Sequence, residues 1–268
     1  MITTFVMRAQ QRTQSGFTLV EMAIVMLIVA LLLGGLIPSI TSQVDQRHAD
    51  ETSKQLDEIK EALIGYAIIH GRLPCPASIT PINSYGAESP VGGGICSNFY
   101  DGYVPAATLG LSGTNSSGFV VDSWGNPIRY AVTKWSSTVP NQPYVFTTLN
   151  GISTVGISNL SPDLLVCSTA TGISGSPPTC SSGPPSTALT SSPGVPAVIY
   201  STGKNGGYGG TGLDEKENPN PKFDDNDRVF VSHTPTANGT INGEFDDLVI
   251  WISPNVLINR MVAAGKLP

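Results

Sequence analysis

Charge is what this sequence has least of. Only 13% of its 268 residues are charged, and they leave a net charge of −6. Nucleic-acid binding driven by overall charge needs a basic face, so that class of function is disfavoured and no nucleic-acid partner is expected. The residue patterns of common active sites are missing as well. There is no G-x-S-x-G, no H-E-x-x-H and no phosphate-binding P-loop. The three histidines, His48, His70 and His233, are scattered. "GYGGTG" (207–212) satisfies G-x-G-x-x-G, but the following "LDEKENPNP" cannot open a helix to hold a phosphate. No catalytic residue emerges, and the chain is not expected to be an enzyme.

Cysteine is also scarce. The four fall in two close pairs, Cys75 with Cys96 and Cys167 with Cys180. No C-x-x-C spacing occurs and every histidine lies outside both loops, which disfavours zinc. In an oxidising compartment, neighbour pairing is expected, because each bond would close a short loop rich in Pro and Gly. Each closure would contribute about 3 kcal/mol in the chain-entropy picture. Three pairings are open to four cysteines, and the sequence does not choose among them.

Glycine (29) and proline (21) are plentiful, which favours turns and strands over a helical bundle. Two helical stretches nevertheless stand out at the N-terminal end. Between Arg12 and Asp45 the only charge is Glu21. From Phe17 to Ile40 the chain is apolar enough, and at about 36 Å long enough as a helix, to predict a membrane span. Arg8 and Arg12 keep the preceding segment in the cytoplasm by the positive-inside bias, so everything after Ile40 would be exported. Gly34, Gly35 and Pro38 predict a kink or local melting near the end of that span. Residues 41–72 read as the amphipathic half of the same helix. Ala49, Thr52, Leu56, Ile59, Leu63 and Tyr66 recur at steps of three and four, and Gly71, Pro74 and Pro76 stop the pattern.

The stretch around Glu21 resembles the class III leader of type IV prepilins and type II secretion pseudopilins. It has a short basic leader, then Gly16, then Phe17-Thr18-Leu19-Val20-Glu21 and a long apolar run. The resemblance implies that residues 1–16 are a leader removed by prepilin peptidase between Gly16 and Phe17. It implies N-methylation of Phe17 and a docking role for Glu21, whose carboxylate would meet a terminal amine within the chain or on a neighbouring subunit. An unpaired buried charge is very costly, whereas a paired one is tolerated. A carboxylate snorkelling to the headgroups is the bland alternative. The implied partners are the peptidase, other pilin or pseudopilin subunits, an inner-membrane assembly platform and membrane lipid. The implied location is single-pass in the inner membrane, N-terminus cytoplasmic and C-terminal domain periplasmic, before entry into a filament.

Residues 73–268 are expected to form a β-rich periplasmic domain, with strand candidates at 118–121, 128–133, 143–148, 163–168, 196–201, 228–232 and 247–252. A Pro/Ser-rich flexible loop is expected at 171–194, and a weakly helical end stops at Gly265. The predicted fold is α+β and pilin-like: a long N-terminal helix, half transmembrane and half amphipathic, packed on an antiparallel sheet with long loops. "DSWGNPIRY" (122–130) resembles a turn-and-strand segment of the major pseudopilin, with Trp124 a core anchor. "YSTGKNG" (200–206) and "FDDLVIW" (245–251) resemble its calcium-loop region. That likeness makes Asn205, Asp246 and Asp247 candidate calcium ligands. Residues 201–250 hold nine acids against four Lys and Arg, and Asp224, Asp225 and Asp227 join the candidate set. Clustered oxygen donors suit a hard cation, and a merely solvated acidic loop is the competing reading. A minor subunit is the expected role; a filament-tip or surface-binding module using loops 75–115 and 171–245 is the alternative.

Overall fold

The structure is a computed structural model. It describes residues 16–78, 85–135, 137–183, 186–206, 210, 212–218 and 228–267, with residues 33–42 described by their backbone alone. The chain divides into two units, Met1–Arg47 and His48–Pro268.

In the first unit the described residues are a short non-helical lead-in and the beginning of helix α1 (Leu19–His70). Every side chain from Gly16 to Leu32 is exposed. The helix runs on past Gly34, Gly35 and Pro38, so the local melting predicted there is not seen. The predicted transmembrane half is overturned. Among the described residues, no helix is long and apolar enough to cross a membrane. The apolar positions whose side chains are described, 19–32, make roughly 21 Å of helix against a hydrocarbon core of about 30 Å, and they include a carboxylate. The predicted single-pass inner-membrane location falls with the same finding.

In the second unit, α1 presents the predicted stripe to a core. Thr52, Leu56, Ile59 and Leu63 are buried, as are Ile64 and Ala67 beside them, and Tyr66 is half-buried. The helix stops because Gly71 turns left-handed at φ +65°, its N–H still bonded to the Ala67 carbonyl. A Cβ at Gly71 would sit 2.9 Å from the Asn150 backbone, so any other residue is resisted twice, by φ and by space.

After the helix come β1 (Gly102–Tyr103), α2 (Ala106–Leu109), β2 (Arg129–Val132), α3 (Gly151–Val155), β3 (Leu165–Cys167), β4 (Ala197–Ser201), β5 (Val229–Val231), β6 (Leu248–Ile252) and α4 (Pro254–Ala263). Four of the strands form an antiparallel sheet in the order β1-β2-β4-β6. β3 and β5 form a separate parallel pair. The single antiparallel sheet of the sequence reading is therefore two small sheets. β4 is buried at every position, which suits its unbroken apolar run, and Tyr200 lies with its ring 5.6 Å from that of Phe230 on β5.

Two strand candidates fail for local reasons. Residues 118–121 supply only isolated bridges, Thr114 to Val120 and Val121 to Pro127. Residues 143–148 fold into turns, where the Thr147 and Thr148 amides and the Thr148 hydroxyl donate to the Tyr144 carbonyl, and the Thr147 hydroxyl donates to the Gly94 carbonyl at 2.6 Å. Side-chain bonds to nearby backbone have beaten β propensity there. Trp124 is half-buried against His48 and is not a member of the central core, so its anchoring role is corrected too. In the long loop, Leu189 donates to the Val166 carbonyl and Ser168 to that of Thr187, tying the loop's return along β3.

Cys75 is bonded to Cys96, and Cys167 to Cys180. Beside the first bond, Arg72 and Glu88 form an ion pair in which each side chain is only 4% exposed. Arg72 donates in a fork, Nη2 to Oε1 at 2.7 Å and Nη1 to Oε2 at 2.8 Å. The Cys75 amide (3.0 Å) and the Gly92 amide (3.1 Å) also donate to this carboxylate.

Candidate functional site

Two groups of residues concern function, and they belong to different units. The first is the start of α1. Gly16 is exposed, and among the described residues a Cβ placed on it would meet nothing within 4 Å, so their packing sets no demand for glycine there. Phe17 is 80% exposed. Thr18 is the N-cap of the helix and Glu21 its third residue. The Thr18 amide and hydroxyl each donate to Glu21 Oε2 at 2.9 Å, and the Glu21 amide donates back to Thr18 Oγ1 at 3.2 Å. This is a reciprocal capping box, which satisfies backbone donors that the first turn otherwise leaves unpaired. The T-x-x-E spacing that signals it is plain in the sequence, although the sequence reading gave Glu21 a docking role alone.

The second group lies at the start of β6. Asp246 and Asp247 lead into that strand, and Glu215 opens a 3₁₀ turn at Glu215–Glu217. One carboxylate oxygen from each comes within 4.8 Å of the others. The GYGGTG stretch thus leads into a three-residue 3₁₀ turn instead of a phosphate-binding helix.

Backbone and side-chain amides shape this cluster. Asn205 Nδ2 donates to Glu215 Oε1 at 3.0 Å, and so does the Asp246 amide. The Lys204 amide donates to Asp246 Oδ2 at 3.0 Å, and Asn218 Nδ2 to Asp247 Oδ2 at 2.6 Å. Gly203 has φ +63°, and a Cβ there would sit 2.6 Å from the Asp246 carbonyl oxygen; only glycine allows the two segments to close up. The turn bearing Glu215 is pinned from behind by Asp214, which accepts from the Ala170 amide and from Asn242 Nδ2 and contacts His233 Nε2 at 3.2 Å.

The electrostatics are those of acids crowded together out of water. Burial, with Glu215 next, pushes Asp246 up to about 6. Burial raises Asp247 well above the usual carboxylate range, and Glu215 and Asp246 add to it. Among the described residues, two oxygens here, Asn205 Oδ1 and Asp246 Oδ1, are buried with no hydrogen-bond partner. Unpaired buried acceptors are costly, and an all-oxygen set of this kind fits a hard divalent cation. The residues present can therefore chelate such an ion.

Of the expected ligands, the structure brings Asn205, Asp246 and Asp247 to one place, whereas Asp224, Asp225 and Asp227 lie outside the described residues. Glu215 was not singled out from the sequence. The available signal was its position in the sequence just after the Gly-rich stretch 206–212.

One family model, the prokaryotic N-terminal methylation motif, matches residues 11–37. The chain carries that motif. It is consistent with a leader of prepilin or pseudopilin type, and with a structural rather than catalytic protein tied to the machinery of prepilin processing and pilus assembly. The match spans about a tenth of the chain. No curated protein and no solved structure matches it.

Proposed function

We propose that the chain is a prepilin-like structural subunit. Prepilin peptidase cuts it between Gly16 and Phe17 and the new amino group of Phe17 is methylated. The product then enters a type IV pilus or type II secretion pseudopilus beside related subunits, as a minor component. The observation that carries this reading is the motif match over residues 11–37. The exposure of Gly16 and Phe17 supports it, because a peptidase must reach that bond. The cut leaves a positive amine one residue before the capping box. From there, or from a neighbouring subunit, it can add a charge-assisted bond to a carboxylate already oriented by Thr18.

Intact-mass measurement of the protein from its native host tests the processing: loss of residues 1–16 and gain of one methyl group is expected, and a retained leader overturns it. The docking role of Glu21 separates from its capping role by charge. Glu21→Gln keeps a capping-box side chain and loses the charge. Filament incorporation lost in both Glu21→Gln and Glu21→Ala is expected. Incorporation intact in Glu21→Gln reduces Glu21 to a helix cap.

Calcium is proposed as the cation of the second site, held by Glu215, Asp246 and Asp247 with Asn205 Oδ1. The ion would supply positive charge that keeps these carboxylates ionised out of water. The chain's own part is to bring β6, the 3₁₀ turn and the 203–206 turn within reach of one another.

A further inference from the structure

Four asparagines are followed directly by glycine: Asn150, Asn205, Asn238 and Asn242. We propose that Asn238 is a site of spontaneous covalent modification, where the side-chain amide is lost and a carboxylate takes its place. The inference stands on the turn at 236–245, which supplies no ligand to the proposed cation, and it goes beyond the filament reading.

The reaction is intramolecular. The backbone nitrogen of the following residue gives its proton to solvent and bonds to the asparagine Cγ. The Cγ–Nδ2 bond breaks, the nitrogen leaves as ammonia with a proton taken from solvent, and a cyclic imide remains. One water then opens the imide at either carbonyl, giving aspartate or its isomer in which the main chain runs through Cβ. One water enters and one ammonia leaves, with nothing oxidised or reduced. A glycine after the asparagine leaves the attacking nitrogen unshielded by a side chain and the backbone free to reach the geometry of attack.

The fold chooses among the four. Thr236 and Phe245 close the turn by exchanging two backbone hydrogen bonds, of 2.9 and 3.0 Å. At its tip Asn238 and Gly239 are both exposed. Among the described residues no hydrogen bond engages the Asn238 side chain or the Gly239 amide, the two groups that must meet. Gly239 has φ +105°, and a Cβ placed on it would meet no described atom within 4 Å, so the ring has room to close and water can reach it.

The other three are restrained. The Gly151 amide, which would attack Asn150, donates to the Thr148 carbonyl at 2.8 Å, and Gly151 is buried. Asn205 Nδ2 donates to the two Glu215 oxygens at 3.0 and 3.2 Å. Asn242 Nδ2 donates to Thr169 Oγ1 at 2.8 Å and to Asp214 Oδ2 at 2.9 Å, and the Gly243 amide donates to the Thr240 carbonyl at 3.1 Å. Each of these must break at least one hydrogen bond before its ring can close, which slows it by roughly tenfold, whereas Asn238 breaks none.

The product places a negative charge at the tip, close in sequence to Ile241, whose side chain is fully exposed. The isomer also lengthens the main chain by one methylene. That stretch is enclosed by the bond from the Thr240 amide to the Ala237 carbonyl, at 3.4 Å long enough to contribute little, so the change is absorbed at the tip.

The test holds the full chain folded at mildly alkaline pH and follows each Asn-Gly step by peptide mapping with mass spectrometry. Replacement of amide by acid reads as a gain of one mass unit. Asn238 is expected to convert about tenfold faster than Asn150, Asn205 or Asn242, giving both aspartate and its isomer. In the urea-unfolded chain, where those hydrogen bonds are gone, the four rates should converge. The proposal is overturned if another of the four converts as fast as Asn238 in the folded chain, or if the four differ as much in urea as they do when folded. Asn238→Gln, at an exposed side chain, should abolish the early mass gain and leave the other three rates unchanged. A gain that persists in that variant's peptide belongs to Asn242 and overturns the assignment.

Discussion

Glu88 and Asp246 are both carboxylates drawn away from water, and their surroundings treat them in opposite ways. Burial pushes each one up. At Glu88 the Arg72 fork and the amides of Cys75 and Gly92 outweigh burial, so its pKa ends below the ordinary value. At Asp246 the charges that bear on it are Glu215 and Glu244, both acidic, and two backbone amides do not offset them, so it rises to about 6. One site carries its counter-charge in the sequence. The other gathers acids and, among the described residues, leaves two oxygens without a hydrogen-bond partner, a donor set that a divalent cation would suit.

The largest test makes the first site resemble the second. Arg72→Met keeps most of the side-chain volume but removes the guanidinium fork, leaving Glu88 buried without its cation. A loss of about 3–5 kcal/mol in unfolding free energy is expected, read by urea denaturation. A loss below ~1 kcal/mol would mean that backbone donors alone can hold a buried carboxylate here, and the contrast with Asp246 would lose its meaning.

Next in size is supplying the missing charge to the second site. Calcium at ~100 times its Kd should stabilise the fold by about 2.7 kcal/mol, a rise of roughly 5–10 °C in Tm, and a chelator should remove it. Identical melts with calcium and with chelator would retire the ion.

How far these sites could be read in advance depends on the range of the signal. The α1 stripe through Leu56, Ile59 and Leu63 was legible because helical periodicity is local, and β4 because an apolar run of that kind has few alternatives. The strand misread at 143–148 shows the limit, since Thr-to-carbonyl bonds, from Thr148 to Tyr144 and from Thr147 to Gly94, redirect a good β sequence. The apolar run after Phe17 read as a membrane span by length and composition, and among the described residues that reading is not upheld. Asp246 and Asp247 stood out as adjacent acids before a strand, whereas Glu215 meets them only through a fold-back of thirty residues.

A smaller effect separates repulsion from binding. Asp246→Asn removes a charge that Glu215 opposes, so the calcium-free protein should gain stability near neutral pH, by under ~1 kcal/mol after solvent screening, while its response to calcium disappears. If the variant is less stable without calcium, Asp246 is held by bonds the charge reading does not include.

The smallest effect is the pH profile, where the two carboxylates pull in opposite directions. Asp246 has a folded pKa of about 6 against an ordinary 3.8, so between those values the folded state holds more of its proton than the unfolded chain does. Stability from this group is therefore fully present below about 4 and lost as pH rises through 6. Glu88 is shifted down from 4.5, so its contribution is present above that value and lost as the pH falls. Because Asp246 is only about half withdrawn from solvent, its share should be under ~1 kcal/mol after screening. In chelator, melting temperature should fall between pH 4 and 6. In saturating calcium that fall should vanish, since the ion holds the carboxylates ionised and binding it releases their protons. A calcium-free profile that instead climbs steadily from pH 4 to 6 would place Asp246 in the same class as Glu88, with its counter-charge already inside the chain.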